Sequence, residues 1–208
     1  MASEQQMHGA TRFTDKEMTA INEVVKEAQT LLENKNNGKV RQLATVAGTV
    51  MNFKGQQIML NTTQEWFGHF IEKPPITIGG HGSGTFVHRA PSFPKIPGYG
   101  PGPAIAGCKA AVIYGYYDKD VPQLGWLLAW YKSQNSAEHK VYVEAGLLEV
   151  LQKREWSEIE EKLDASGSAC RYYDSVTGAA AAAEIKDHGY KLAYLGACFD
   201  CTNSAFKE

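Results

Sequence analysis

Met18, Ile21, Val24, Val25, Ala28, Leu31 and Leu32 recur at three- and four-residue spacing, while Asp15, Lys16, Glu23, Lys26, Glu27 and Glu33 fill the other face. That period predicts an amphipathic helix over residues 15–34. Thr14, followed three residues later by Glu17, has the form of a capping box at its start, and Asn36-Asn37-Gly38 ends it. From Val40 the period changes. The run VRQLATVAGTVMNF alternates and is rich in β-branched side chains, and after a turn at Lys54-Gly55 residues 57–63 are extended as well. Residues 76–78, 85–89, 109–117, 125–131, 140–144 and 191–197 are further strand candidates. Short, glycine-rich turns between such strands are the signature of a β-sandwich or barrel. Helical spacing returns at 155–163, with Trp156, Ile159 and Leu163 on one face and glutamates opposite. The alanine run 179–183 combines high helix propensity with little apolar area, which predicts a short surface or half-buried element. No internal repeat or long linker divides the sequence, so residues 1–208 read as a single domain with a polar leader over 1–13.

A chain of 208 residues with 43% hydrophobic content can bury a sizeable core. Lysine and arginine number 21 against 23 acidic residues, and no cluster of basic residues forms a track for a phosphate backbone, which argues against a nucleic-acid partner. The N-terminus has no apolar core of a secretory signal, and no stretch reaches the about 18 apolar residues of a membrane span. A soluble protein, cytoplasmic or released without a signal peptide, is expected. Four cysteines are too few for a disulfide-built scaffold of this length. Cys198-Phe-Asp-Cys201 has the spacing of a redox pair or half a zinc site, but Cys170 and His188 offer no paired spacing to complete one, and plain thiols are the simpler reading.

The stretch Ile76-Thr-Ile-Gly-Gly-His-Gly-Ser-Gly-Thr-Phe-Val-His-Arg89 has the composition of a catalytic or phosphate-binding loop. It fails each template. A nucleophile elbow needs glycine two residues either side of Ser83, where His81 and Thr85 stand; a Walker loop needs Lys-Ser/Thr after Gly84; the dinucleotide fingerprint needs glycine at 85. The stretch is therefore expected to join two strands, with glycine supplying positive φ and His81 the one residue with a possible site role. The histidines at 8, 69, 81, 88, 139 and 188 form no ligand pair. No metal, cofactor or catalytic set is expected; an enzyme would need a site assembled in space, with His69, His81 and Cys108 the first candidates.

Residues 93–103, Phe-Pro-Lys-Ile-Pro-Gly-Tyr-Gly-Pro-Gly-Pro, place Phe93, Ile96 and Tyr99 on a proline-set loop with no strand or helix to bury them. Such apolar tips suit either an interfacial anchor or a fold-back onto the sandwich edge. On the strand over 125–131, Trp126 and Trp130 share a face and Tyr131 points the other way, which predicts a tryptophan in the core and a strand end that lines a pocket.

Gln64-Glu-Trp-Phe-Gly-His69, Gly125-Trp-Leu-Leu-Ala-Trp130 and Glu155-Trp-Ser-Glu-Ile-Glu-Glu-Lys-Leu163, in that order and spacing, resemble the 23 kDa jasmonate-induced proteins of plants and the related fungal Nakanori family. The similarity covers about residues 15–170. It implies an actinoporin-like fold, mainly β with flanking helices: a β-sandwich with one N-terminal and one late α-helix. It also implies non-enzymatic, peripheral binding of a phosphocholine-type headgroup, sphingomyelin in complex with cholesterol. Carried over residue by residue, it places the 93–103 loop, with Phe93, Ile96 and Tyr99, at the headgroup end. His69 stands in the position of a serine, Trp130 and Tyr131 at a headgroup-facing strand end, and Trp156 on the first tyrosine of the late helix. The next two tyrosines of that helix correspond to Glu160 and Glu161, and the tryptophan-rich membrane loop to the polar Lys132–Lys140. The polar leader and the charged first helix point to binding without pore formation. Two other classes remain open: a lectin-like carbohydrate-binding module, and an intracellular stress-induced protein with an unknown partner.

Overall fold

The computed structural model describes residues 13–35, 43–92, 106–117, 123–189 and 191–201. The capping box closes as its sequence implies: the Glu17 amide donates to Thr14 Oγ1 at 3.2 Å and the Thr14 amide to Glu17 Oε2 at 2.8 Å. Helix α1, Asp15–Lys35, follows, and buries Ala20, Ile21, Val24, Val25, Ala28 and Leu32. Glu17 is itself buried, and Arg171 Nε donates to both its carboxylate oxygens at 2.7 and 3.0 Å, which offsets the cost of taking the charge out of water.

The strands in chain order are β1 Thr45–Asn52, β2 Ile58–Phe67, β3 His69–Glu72, β4 Thr77–Ile78, β5 Ser83–Arg89, β6 Gly107–Tyr116, β7 Leu124–Ser133 and β8 His139–Leu147. After helices α2, Leu148–Gln152, and α3, Trp156–Ala165, come β9 Ala169–Tyr173, β10 Ala180–Asp187 and β11 Leu192–Phe199. They form a six-stranded sheet in the order β3-β5-β1-β11-β10-β9 and a five-stranded sheet in the order β4-β2-β6-β7-β8. β1 and β11 run parallel, and the other pairings are antiparallel.

Val46, Val50, Phe86, Val112, Tyr114, Trp126, Trp130 and Phe199 fill the space between the sheets. α1 covers the outer face of the six-stranded sheet over Ala47, Val87, Ala182, Tyr194 and Cys198, while α2 and α3 cover the five-stranded sheet over Ala111, Ile113, Leu127 and Ala129. A strand covered on both faces loses its polar alternation. That accounts for the alanine run, which is not the expected surface or half-buried element. Ala179, Ala181 and Ala183 face the inner core, Ala182 faces α1, and residues 180–187 are a strand hydrogen-bonded to β9 and β11. Cross-strand pairing overrides the helix propensity of alanine here.

The glycine stretch does join two strands, but they belong to different sheets, β4 and β5, so it is a crossover between layers and not a hairpin. The expectation that glycine supplies the positive φ is corrected. His81 carries it, at 56°, and its amide donates to the Lys54 carbonyl at 2.9 Å.

Candidate functional site

The site begins at a corner. β2 ends at Phe67 and β3 begins at His69 in the opposite sheet, so the chain changes layers at Gly68. Gly68 has φ +98°, and a Cβ there would lie 2.4 Å from the Arg89 carbonyl oxygen, so no other residue fits without displacing β5. The Phe70 amide donates to Glu65 Oε2 at 3.0 Å, which holds the two sides of the corner together. The turn leaves His69 exposed between Phe67 and Ile71, which are 43% and 46% exposed.

Register brings other chain ends to the same place. His69 pairs with Arg89 at the end of β5, Phe67 with Lys109 near the start of β6, and Gly107 with Ser133 at the end of β7. Residues 93–105, with the candidates Phe93, Ile96 and Tyr99, lie outside the described residues; their flanks, Ser92 and Ala106, follow and precede strand ends of this corner. His81 sits in the turn before β5, at the opposite end of that strand from His69. Cys108 faces the inner core, and its burial raises the thiol pKa to about 12. The three enzyme candidates therefore do not converge on one surface.

On the outer face of the five-stranded sheet, the β6 residue Lys109 is only 4% exposed. Its Nζ lies 2.8 Å from Glu160 Oε1 and 2.7 Å from Asp164 Oδ1. The same ammonium lies 5.9 Å from the centroid of the Trp66 ring and 5.8 Å from that of Tyr131. Trp156, Glu160 and Asp164 are spaced by four on α3, so one stripe of that helix faces this lysine and its aromatic neighbours. Trp156 meets Trp66 edge to face, with centroids 6.1 Å apart. Tyr131 donates its hydroxyl to the Ala106 carbonyl at 3.3 Å, which joins the cluster to the chain end beside the corner.

Of the candidates read from the sequence, Tyr131 and Trp156 thus share one cluster, with Trp66 and Lys109 between them. His69 lies around the corner on the edge of the other sheet. Trp130 is corrected: it is on the inner face of β7, fully buried, with its ring centroid 4.6 Å from that of Phe86, and it has no surface to offer a ligand. Its Nε1 donates to His88 Nδ1 at 3.3 Å. His88 is buried too, and desolvation, aided by the nearby His69, lowers its pKa to about 3.

Sequence reasoning missed Lys109. The available signal was a lysine at the start of an otherwise apolar strand, together with carboxylates on the late helix where the resemblance calls for tyrosine. Among the described residues no group of three or more His, Cys, Asp or Glu side chains is placed to hold a metal ion. All four cysteines are free thiols. Cys198 and Cys201 are hydrogen-bonded to each other, and that bond, with burial, raises the Cys198 pKa.

No curated protein sequence matches the chain. Among solved structures, the crystal structure of the lipid binding protein Nakanori is similar with a TM-score of 0.62 at 16% identity, covering 94% of this chain and 93% of that one. The wild-type Xerocomus chrysenteron lectin XCL is a weaker match, with a TM-score of 0.43 at 9% identity, covering 74% of this chain and 99% of the lectin. The model of the Nakanori-like proteins matches residues 6–192. A match over that span, on a two-sheet, mainly β fold shared with Nakanori, settles the affiliation: the chain belongs to the Nakanori-like protein family.

Proposed function

We propose that this protein is a non-enzymatic, peripheral binder of membrane lipid, recognising the choline-type headgroup of sphingomyelin in a cholesterol-containing membrane. The observation that carries the reading is the corner itself. Phe67 and Ile71 stand exposed on either side of His69, at the end of the sandwich where β2, β3, β5, β6 and β7 meet. Two apolar tips flanking a polar ring suit a surface that dips into the interfacial zone while hydrogen-bonding a headgroup. Affiliation with the Nakanori-like family, and the fold shared with the lipid binding protein Nakanori, support it further.

Peripheral binding without perforation is part of the same reading. The apolar face of α1 already lies on β11 and β1, and the helix is tied down by the Glu17–Arg171 ion pair and by Lys186 Nζ donating to Asn22 Oδ1 at 3.0 Å. Inserting α1 into a bilayer would expose the sheet beneath it. Among the described residues no helix is long and apolar enough to cross a membrane.

Sedimentation with sphingomyelin–cholesterol vesicles tests the corner. The double variant Phe67→Asp, Ile71→Asp should bind roughly 30- to 100-fold more weakly, from partial burial of two large apolar side chains. Unchanged binding by that variant, or binding abolished by a free sugar, would remove the corner from the account. Release of an entrapped dye by the wild-type protein would refute the absence of pores.

A further inference from the structure

The surroundings of Lys109 are those of a receptor for an ammonium ion. Two aromatic faces, Trp66 and Tyr131, lie within the about 6 Å at which a ring attracts a cation. Two carboxylates, Glu160 and Asp164, contact the same nitrogen at 2.8 and 2.7 Å. The carboxylates are 31% and 54% exposed while Lys109 is 5% exposed in its side chain, so this enclosure is walled by β2, β6 and β7 and open to water on the α3 side. A surface ion pair needs only one carboxylate and no aromatic walls. Lys54 has two aromatic rings and one carboxylate about its nitrogen; Lys109 has two of each, the groups that recognise an alkylammonium, and here the occupant comes from the chain itself.

We propose that Trp66, Tyr131, Glu160 and Asp164 form an ammonium-binding site of which the Lys109 side chain is the resident ligand. While Lys109 fills it, an external alkylammonium, choline included, is excluded; shortening that side chain opens the site. Lys109 is thus a specificity-determining residue: it sets how readily the protein accepts a cationic headgroup at this face. That last consequence rests on the lipid-binding reading, whereas the site itself does not.

The test is rescue of a truncated side chain by a soluble ligand. Lys109→Ala should melt roughly 4–8 °C below the wild type, because the carboxylates lose their partner. Choline chloride or tetramethylammonium chloride should recover about half of that loss or more, and should leave the wild-type melting temperature unchanged. The neutral isostere of choline, 3,3-dimethylbutanol, and sodium chloride at equal ionic strength should recover none of it. Adding Tyr131→Leu to Lys109→Ala should abolish the recovery by choline. If Lys109→Ala does not fold in buffer, folded protein should be recovered when it is refolded with choline and not with the alcohol. No recovery, or equal recovery by the alcohol or by sodium chloride, would overturn the proposal. In a separate arm, Lys109→Ala should bind sphingomyelin–cholesterol vesicles about tenfold more tightly than the wild type, the scale of a single cation–aromatic interaction with the headgroup. Rescue by choline without vesicle binding by either protein would sink the lipid reading and leave the ammonium site standing. Rescue with vesicle binding unchanged would remove Lys109 from headgroup selection.

Discussion

Each tryptophan of the inner core brings an N–H that must be satisfied, and the molecule supplies a different acceptor for each. Trp126 Nε1 donates to Asp200 Oδ1 at 3.2 Å, and the same carboxylate receives the Ala180 amide at 3.0 Å and pairs with Lys54 at 2.9 Å. Trp130 Nε1 donates to His88 Nδ1, which can accept only while the imidazole is neutral. The pKa of His88 is lowered from 6.5 to about 3 by burial and by His69; Glu65 Oε2 lies 3.8 Å from its Nε2. In the unfolded chain the ring takes a proton below about pH 6.5, and in the folded one it does so only near pH 3. Between those values the unfolded state binds the extra proton, so stability is fully present above pH 6.5 and falls as the pH drops towards 3, by about 5 kcal/mol at most from this group. Urea denaturation at pH 7 and pH 4.5 should show a larger loss for the wild type than for His88→Gln, whose amide still accepts from Trp130. Equal losses would mean that His88 does not govern the acid limb. The alternation of β7 already put Trp126 and Trp130 on one face; the partners of their N–H groups come from β5 and from Asp200, and no local pattern marks them.

The longer helices with one face in water were legible. α1 shows its stripe and its capping box plainly, and α3 shows Trp156, Ile159 and Leu163 at helical spacing. β3, β9 and α2 were not read, because four or five residues are too few to establish a period. β10 was misread for a different reason: both of its faces are covered, so its alanines carry no alternation to set against their helix propensity. The close seat of α1 depends on a small residue of the same sheet. A Cβ on Gly196 of β11 would stand 2.8 Å from the Ile21 carbonyl oxygen and 2.9 Å from Val25 Cγ2. Gly196→Ala should therefore push α1 away from the sheet and cost about 1–3 kcal/mol. Hydrogen exchange would locate the loss, with faster exchange along α1 than along β6 and β7. Uniform acceleration through the whole molecule would argue against a local displacement.

At the scale of the whole molecule, the strand spacing pointed to a sandwich or barrel and the order of helix, strands, helix and strand was legible, while the flanking position of the helices came with the family resemblance. The candidate site was legible only in part. Tyr131 and Trp156 meet around a shared cluster, but Trp130 is in the core and His69 belongs to a corner that forms only because the chain passes from β2 in one sheet to β3 in the other at Gly68. A change of sheet leaves no mark in hydrophobic periodicity; one glycine at the joint is its whole local signature. The juxtaposition of Lys109 with Glu160 and Asp164 is likewise long-range, the lysine and its first partner standing 51 positions apart. In the proposed function, the exposed corner and the enclosed lysine together make one end of the sandwich, with the adjoining flank under α3, the face that meets a membrane. The most direct test is the amount of wild-type protein that sediments with vesicles of sphingomyelin and cholesterol, measured beside vesicles that lack both. Binding at least about tenfold tighter to the first is the expected result, and equal, weak association with both compositions would contradict it.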